Sequence, residues 1–514
     1  MNTKGLALLV FLLSAITASA QRIYYAEPDR DDLRQMRFEI LGKYNNQYLI
    51  YKNIRSRHYI CVYSPDMKIK DKIDLDFIPD RVRSVDIFSN PEFSVLFYQY
   101  EKKNIVYLMG VRIDGNGKKM SEPQELDTTR IGGLSDNKVY SLITSDDKKK
   151  IMAFKMKIKQ RDDFLIQTLL MNNNLIPVRK AAFNYRLENN KESIADFYLD
   201  NEGNFLFSHI SRPQQREYIN EAKLAVLQTY SDTVKVFPLG IKNVFLDELR
   251  IKVDNLNGRY LLSSLYSKAK RGNIDGLFIC VINKSLNDPD IEHAIEFSED
   301  FRAQAKGESS IKMAFNDYYL KHFIVKKDGG VLITGESAYT NNRGNNFNRW
   351  DNPWMWNSPW NNYWGWNSWN NWGGWGNNWG WGSPWGMGGF GPNQQTRYFA
   401  DNVIVLSLNK DANMQWQNVI NKSQFDDNTD NMLSYQIMNS GAELLFLYNE
   451  WNRRTPMLNA QSLSPDGKIS KEPPLKSLDK GYEFMIRLGK QVGPREMIAP
   501  AVYRNAFSFT RIEF

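Results

Sequence analysis

Residues 39–53 read EILGKYNNQYLIYKN, and the same pattern returns at 86–100 as DIFSNPEFSVLFYQY. Each stretch has an alternating apolar run, a polar turn and a stronger apolar run. Period-two alternation sends successive side chains to opposite faces of a strand, and Val, Ile, Tyr and Phe suit that pleated surface. Asn, Asp, Gly and Pro supply the positive or fixed φ angles that tight turns need. The pattern predicts a β-hairpin whose second strand is buried.

Six more copies follow. They are SLITSDDKKKIMAFK (141–155), DFYLDNEGNFLFSHI (196–210), RIKVDNLNGRYLLSS (250–264), HFIVKKDGGVLITGE (322–336), YQIMNSGAELLFLYN (435–449) and MIRLGKQVGPREMIAP (485–500). A second hairpin lies between most successive copies, as in CVYSPDMKI at Cys61 and CVINKSLNDPDI at Cys280. Each unit therefore holds about four strands. The first-hairpin turns centre near residues 45, 90, 146, 202, 257, 329, 441 and 493, and most intervals lie between 45 and 56. The long step after 257 contains IEHAIEFSEDFRAQAKGESS (291–310), which reads as an inserted helix or long loop. The longest step contains a tryptophan-rich segment.

Four-stranded units at this period predict an all-β fold, a β-propeller of seven to eight blades with eight favoured. One four-stranded sheet cannot bury both faces, and radial packing of neighbours solves that. The last copy lacks a strand, and RIYYAE (22–27) is a spare one near the N-terminus. Pairing it with the C-terminal strands would close the ring and leave no ring-end edge exposed. On these units the chain resembles β-propeller proteins over nearly its whole length after residue 20. More narrowly, it is similar to secreted proteins of the Bacteroidota that carry a low-complexity aromatic, Asn- and Gly-rich insertion in a similar place. That resemblance implies the fold and no particular activity. Neither a WD dipeptide nor a kelch double glycine recurs from unit to unit, so neither of those families is implied. The competing fold is an outer-membrane barrel, which the charge on both faces of KIKDKIDLD and MAFKMKIKQ opposes.

Residues 1–20 read as a signal peptide: Lys4, then GLALLVFLL, then the small residues Ala18, Ser19 and Ala20. Cleavage after Ala20 would send the chain to the periplasm or outside the cell. No later stretch is apolar for long enough to predict a transmembrane helix. Residues 21–514 read as a single propeller domain.

The formal net charge is +8, but acids and bases alternate throughout, which suits a solvated surface better than a nucleic-acid groove. Two cysteines, Cys61 and Cys280, make no disulfide scaffold, and they fall on equivalent strands of opposed units, so they should be unbonded. The four histidines have no ligand spacing, and no cofactor is implied. Asp114-Gly-Asn116-Gly117 and Asp288-Pro-Asp290 lack the late Glu of a calcium loop and read as turns.

Residues 341–396 form the insertion, which lies between the second and third strands of the sixth unit. Twelve of the chain's 14 tryptophans fall there: Trp350, Trp354, Trp356, Trp360, Trp364, Trp366, Trp369, Trp372, Trp375, Trp379, Trp381 and Trp385. Their spacings mix 2, 3 and 4, so no single helix or strand period holds. Indole faces stack on sugar rings, sit at membrane interfaces or anchor protein partners. These twelve are the candidate binding residues. They point to a binding module that contacts a glycan, a cell-envelope surface or another envelope protein. The runner-up is a glycan-active hydrolase or lyase using axial carboxylates, with Asp86, Asp196 and Asp247 as candidates. No G-x-S-x-G, HExxH or P-loop is present, which leans against catalysis.

Overall fold

A computed structural model describes residues 22–29, 36–132, 138–160, 162–189, 191–213, 218–285, 289–306, 315–342, 345–346, 396–427, 430–452, 455–476, 481–504 and 506–514. These residues form eight separate antiparallel sheets, each with four strands in its main path. The chain is an eight-bladed β-propeller, and the barrel alternative is excluded by the separation of the sheets. Each blade meets the next through its own apolar cluster. Leu49 and Tyr51 of blade 1, for example, pack with Leu96 and Tyr98 of blade 2. The eighth cluster joins the last blade to the first, with Phe507 and Phe509 against Phe38 and Ile50.

The hairpin turns lie where the sequence places them. In blade 1 Met36–Tyr44 turns through Asn45 and Asn46, both at positive φ, into Gln47–Ile54. Blade 8 is completed by Arg22–Tyr25, which pairs antiparallel with Ala506–Glu513. That closure brings the two ends of the described chain into one sheet.

Two expectations need correction. The stretch 291–310 is not wholly an insertion. Ile291–Glu296 alternates IEHAIE and forms the outer strand of blade 5, and among the described residues of the stretch Glu299–Lys306 is helical. The helix buries Phe301 and Ala305 in the joint between blades 5 and 6. In the last copy, MIRLGKQVG is not one strand. The inner strand of blade 8 splits into Tyr482–Phe484 and Lys490–Gly493, with a 3-10 turn over Ile486–Leu488. The proposed signal peptide, residues 1–20, lies outside the described residues. Among the described residues, no helix is long and apolar enough to cross a membrane.

Candidate functional site

Each blade steps outward from its inner strand in antiparallel order, so in a propeller the second-to-third-strand connections share one face. The insertion leaves from that face, in blade 6. Its stalk has the longest strand pairing among the described residues. Val331–Asn342 pairs with Thr396–Leu408 from Val331↔Leu408 up to Asn342↔Thr396. A register shift between Glu336 and Ala338 divides the stalk in two. Below it, Thr396–Leu408 pairs with the outer strand Met414–Ile420; above it, the same strand pairs with an extra short strand, Gln424–Asp427.

The upper half is built of aromatic side chains. Tyr339 and Phe399 stack with centroids 4.7 Å apart, and the Tyr339 hydroxyl donates to Asp401 at 2.9 Å. Half-exposed Phe425 lies beside Phe399, and the Arg397 guanidinium sits 4.8 Å from the Phe425 ring centroid. Arg397 holds Asp427 with two hydrogen bonds, at 2.7 and 3.0 Å.

The base of the stalk is anchored by charge. The buried Glu336 carboxylate pairs with Lys422 at 2.7 Å and with Lys321, and accepts from the Ser434 hydroxyl at 2.8 Å. Lys422 also donates to the Ala400 carbonyl at 2.7 Å and to Gln424 at 2.8 Å. Burial by itself would raise the Glu336 pKa, but the two ammonium groups outweigh it and hold it at about 2. A buried charge persists when it is paired and hydrogen-bonded in this way.

The twelve candidate tryptophans, Trp350 to Trp385, lie outside the described residues. Trp416 serves a different purpose. It packs over Gly467 of blade 7, where an added Cβ would stand 2.7 Å from its ring and φ is +90°.

The three axial carboxylates are not brought together. Asp86 is buried in blade 2 and paired with Lys138 at 2.6 Å. Asp247 is buried in the break between the two pieces of the inner strand of blade 5, Phe245–Leu246 and Arg250–Asp254, where its carbonyl accepts from Arg212 at 3.0 Å. Asp196 sits in blade 4 at φ 49°, within a break in the pairing between Ala195 and Tyr198. Burial lifts its pKa to about 6; Arg250 opposes the rise and Glu248 adds to it.

A further group escaped the sequence reading. Asp426, on the extra strand beside the stalk, is pushed up to about 7 by burial, with Glu483, Asp427 and Asp430 adding to the rise. Its neighbour Glu483 comes from blade 8, so no local pattern announces the pairing. Among the described residues, no group of three or more His, Cys, Asp or Glu is placed to hold a metal ion. Asp114 is a turn residue, accepting from the backbone N–H of Asn116 at 2.9 Å and of Lys118 at 2.8 Å.

No protein-family model and no curated protein sequence matches the chain. Solved structures align with it at low identity. Prolyl oligopeptidase B from Galerina marginata, bound to a 35-residue substrate, aligns at a TM-score of 0.39 and 8% identity, over 92% of this chain and 56% of that one. The chain thus spans little more than half the length of that enzyme. A polysaccharide lyase, an ulvan lyase, aligns at 0.35 and 9% identity over 82% and 90%. A Synechocystis apocarotenoid oxygenase variant aligns at 0.32 and 7% identity over 96% and 93%. The eight-bladed assignment rests on the strand pairing and the inter-blade clusters.

Proposed function

We propose that the chain is an exported binding module whose blade-6 insertion contacts a glycan at the cell envelope or outside the cell. The observation that carries this reading is the stalk. A connection without a task would need no more than a short turn between two strands. Here the hairpin runs on, gains an extra strand, and is anchored by the Lys321–Glu336–Lys422 group. An anchored base at the connection that carries twelve tryptophans in sequence suits ring stacking on sugars, and Asn amides in the same segment suit hydroxyl groups. Left uncovered, that many indoles would exceed the ~300–600 Å² apolar patch usual on a monomer. The test is a pull-down on a panel of insoluble polysaccharides with intact protein and protein shortened across residues 343–395. Retention of the intact form alone supports the reading. Equal behaviour of both forms on every polysaccharide refutes it.

A second reading, a glycan-active enzyme on the same scaffold, draws on Asp196. A carboxyl with a pKa near 6 at a backbone irregularity has the poise of a general acid or base. Asp196→Asn would then abolish polysaccharide cleavage while leaving binding intact. Finding no cleavage by the wild type on that panel removes this reading.

A further inference from the structure

On the second strand of each blade, alternate side chains face the preceding blade and fill the joint. Where blade 3 places Ala153, blades 4 and 7 place Phe207 and Phe446, and blade 8 places Ala499. A cleft of about 230 Å³ lies between blades 2 and 3, with Ala153 in its lining.

The cleft floor is two cross-strand rows of blade 3. Ala153, Leu169 and Lys180 form one row, and Lys155, Gln167 and Ala182 the other. Asp127 of blade 2 and Tyr140, just ahead of blade 3, make the wall. Lys155 is fully engaged: its ammonium donates to Asp127 and Thr129, each at 2.6 Å, and to the Tyr140 hydroxyl at 3.3 Å. The Tyr140 hydroxyl also donates to Asp127 at 2.9 Å. Burial would raise the Asp127 pKa, but Lys155 and Tyr140 outweigh it and keep the carboxylate ionised.

Two groups at the opening are not engaged in this way. Lys180 has a 62% exposed side chain and only a loose contact with Asp127, at 3.4 Å. The Gln167 amide faces the cleft from the second row. Asp127 and Lys155 offset each other, so Lys180 is the remaining charged group of the lining, with Glu125 acting on Tyr140 from beside it. Its remaining surface is the apolar Ala153, Leu169 and Ala182. The volume falls short of the ~300–1,000 Å³ that drug-sized ligands occupy, which limits the occupant to about one ring.

We propose that this cleft binds a small hydroxylated carboxylate, one sugar-acid unit either free or at the end of a polysaccharide. Lys180 pairs with the carboxylate, Gln167 and the outer oxygen of Asp127 bond hydroxyls, and the ring carbons rest on Ala153 and Ala182. The site lies in a different joint from the blade-6 stalk and does not depend on the tryptophan segment.

Isothermal titration with galacturonate, galactose and an oligogalacturonate tests it on the full chain. Galacturonate should bind and galactose should bind at least about tenfold more weakly. Lys180→Met should remove that preference. Ala153→Phe copies the residue type of blade 4, should keep the strand signal, and should lose binding. If Ala153→Phe fails to fold, Gln167→Leu replaces it, with an expected loss of about tenfold. Tighter binding of the oligomer assigns the site to chain ends, and equal or weaker binding assigns it to free acids. Protein shortened across residues 343–395 should bind galacturonate unchanged, so this result and the pull-down above can fail separately. The proposal is overturned if galacturonate does not bind up to about 10 mM, or if Lys180→Met and the cleft variants bind it as well as the wild type.

Discussion

Ile23, on the strand nearest the N-terminus, lies directly opposite Ile512, two residues from the C-terminus. The two ends of the described chain thus complete one blade, and no strand at the ring closure is left without a neighbour. The contact continues past the strand: the Ala26 N–H donates to the Phe509 carbonyl at 2.9 Å, and the Tyr25 ring lies 4.3 Å from that of Tyr482.

Deleting residues 22–27 should therefore expose the outer edge of Ala506–Glu513. We expect Tm to fall by about 3–6 °C, or aggregation on heating, in differential scanning calorimetry. An unchanged Tm would mean that the closing strand adds nothing to the ring.

Cys61 and Cys280 are both free and buried, on the third strands of blades 1 and 5. Burial pushes the Cys280 thiol up, and Glu292 adds to the rise. Neither should react with a maleimide in the native protein within an hour or so, because the thiolate is the reactive form. Both should react fully in denaturant. Native labelling, or a Cys61–Cys280 bridge in non-reducing mass mapping, would contradict the placement of these blades.

Much of this architecture is legible in the chain because hairpin chemistry is local. Asn45-Asn46, Gly258, Gly329 and Gly441 sit at positive φ in the turns where their residue types suggest them. The split inner strand of blade 8 was not legible. MIRLGKQVG alternates well enough to read as a strand, and only contacts with blades 1 and 7 turn it into a 3-10 segment between two short strands. Lys490 there donates to the carbonyls of Ile40 at 2.9 Å and Leu41 at 3.2 Å. Site chemistry is less legible still. Asp86, Asp196 and Asp247 all lie in or beside inner strands, yet neighbours from other segments set Asp86 and Asp196 apart. Lys138 holds Asp86 in an ion pair, while burial lifts Asp196 to about 6, with Arg250 opposing the rise and Glu248 adding to it. Partners such as Glu248 for Asp196, or Glu483 for Asp426, come from other blades and leave no mark in sequence spacing.

Glu336 gives a pH-dependent prediction. Its folded pKa of about 2 lies below the usual ~4.3, so it contributes stability that is present above ~4.3 and lost as pH falls toward 2. Glu336→Gln leaves Lys321 and Lys422 buried without their carboxylate and should cost about 3–5 kcal/mol near neutral pH. Urea denaturation of both proteins should show that difference shrinking below about pH 4. A difference that stays constant down to pH 2.5 would mean that the carboxylate is not the anchor.

Asn342 and Thr396 are paired residues, so a two-residue Asn-Gly turn can replace residues 343–395 without changing the register. The shortened protein should keep the far-UV strand signal and lie within about 1 kcal/mol of the parent in urea denaturation. Loss of the fold would make the insertion part of the core.

The central claim is that the insertion meets a ligand with its indole rings, and intrinsic fluorescence reads this directly. Shortening leaves only Trp416 and Trp451, so the parent and shortened proteins differ by the twelve rings in question. Each would be titrated with a soluble form of a polysaccharide that retains the parent in pull-down. The account predicts a saturable blue shift in the parent, as indoles leave water, and none in the shortened protein. An equal shift in both, or no shift in the parent at saturating ligand, would contradict it.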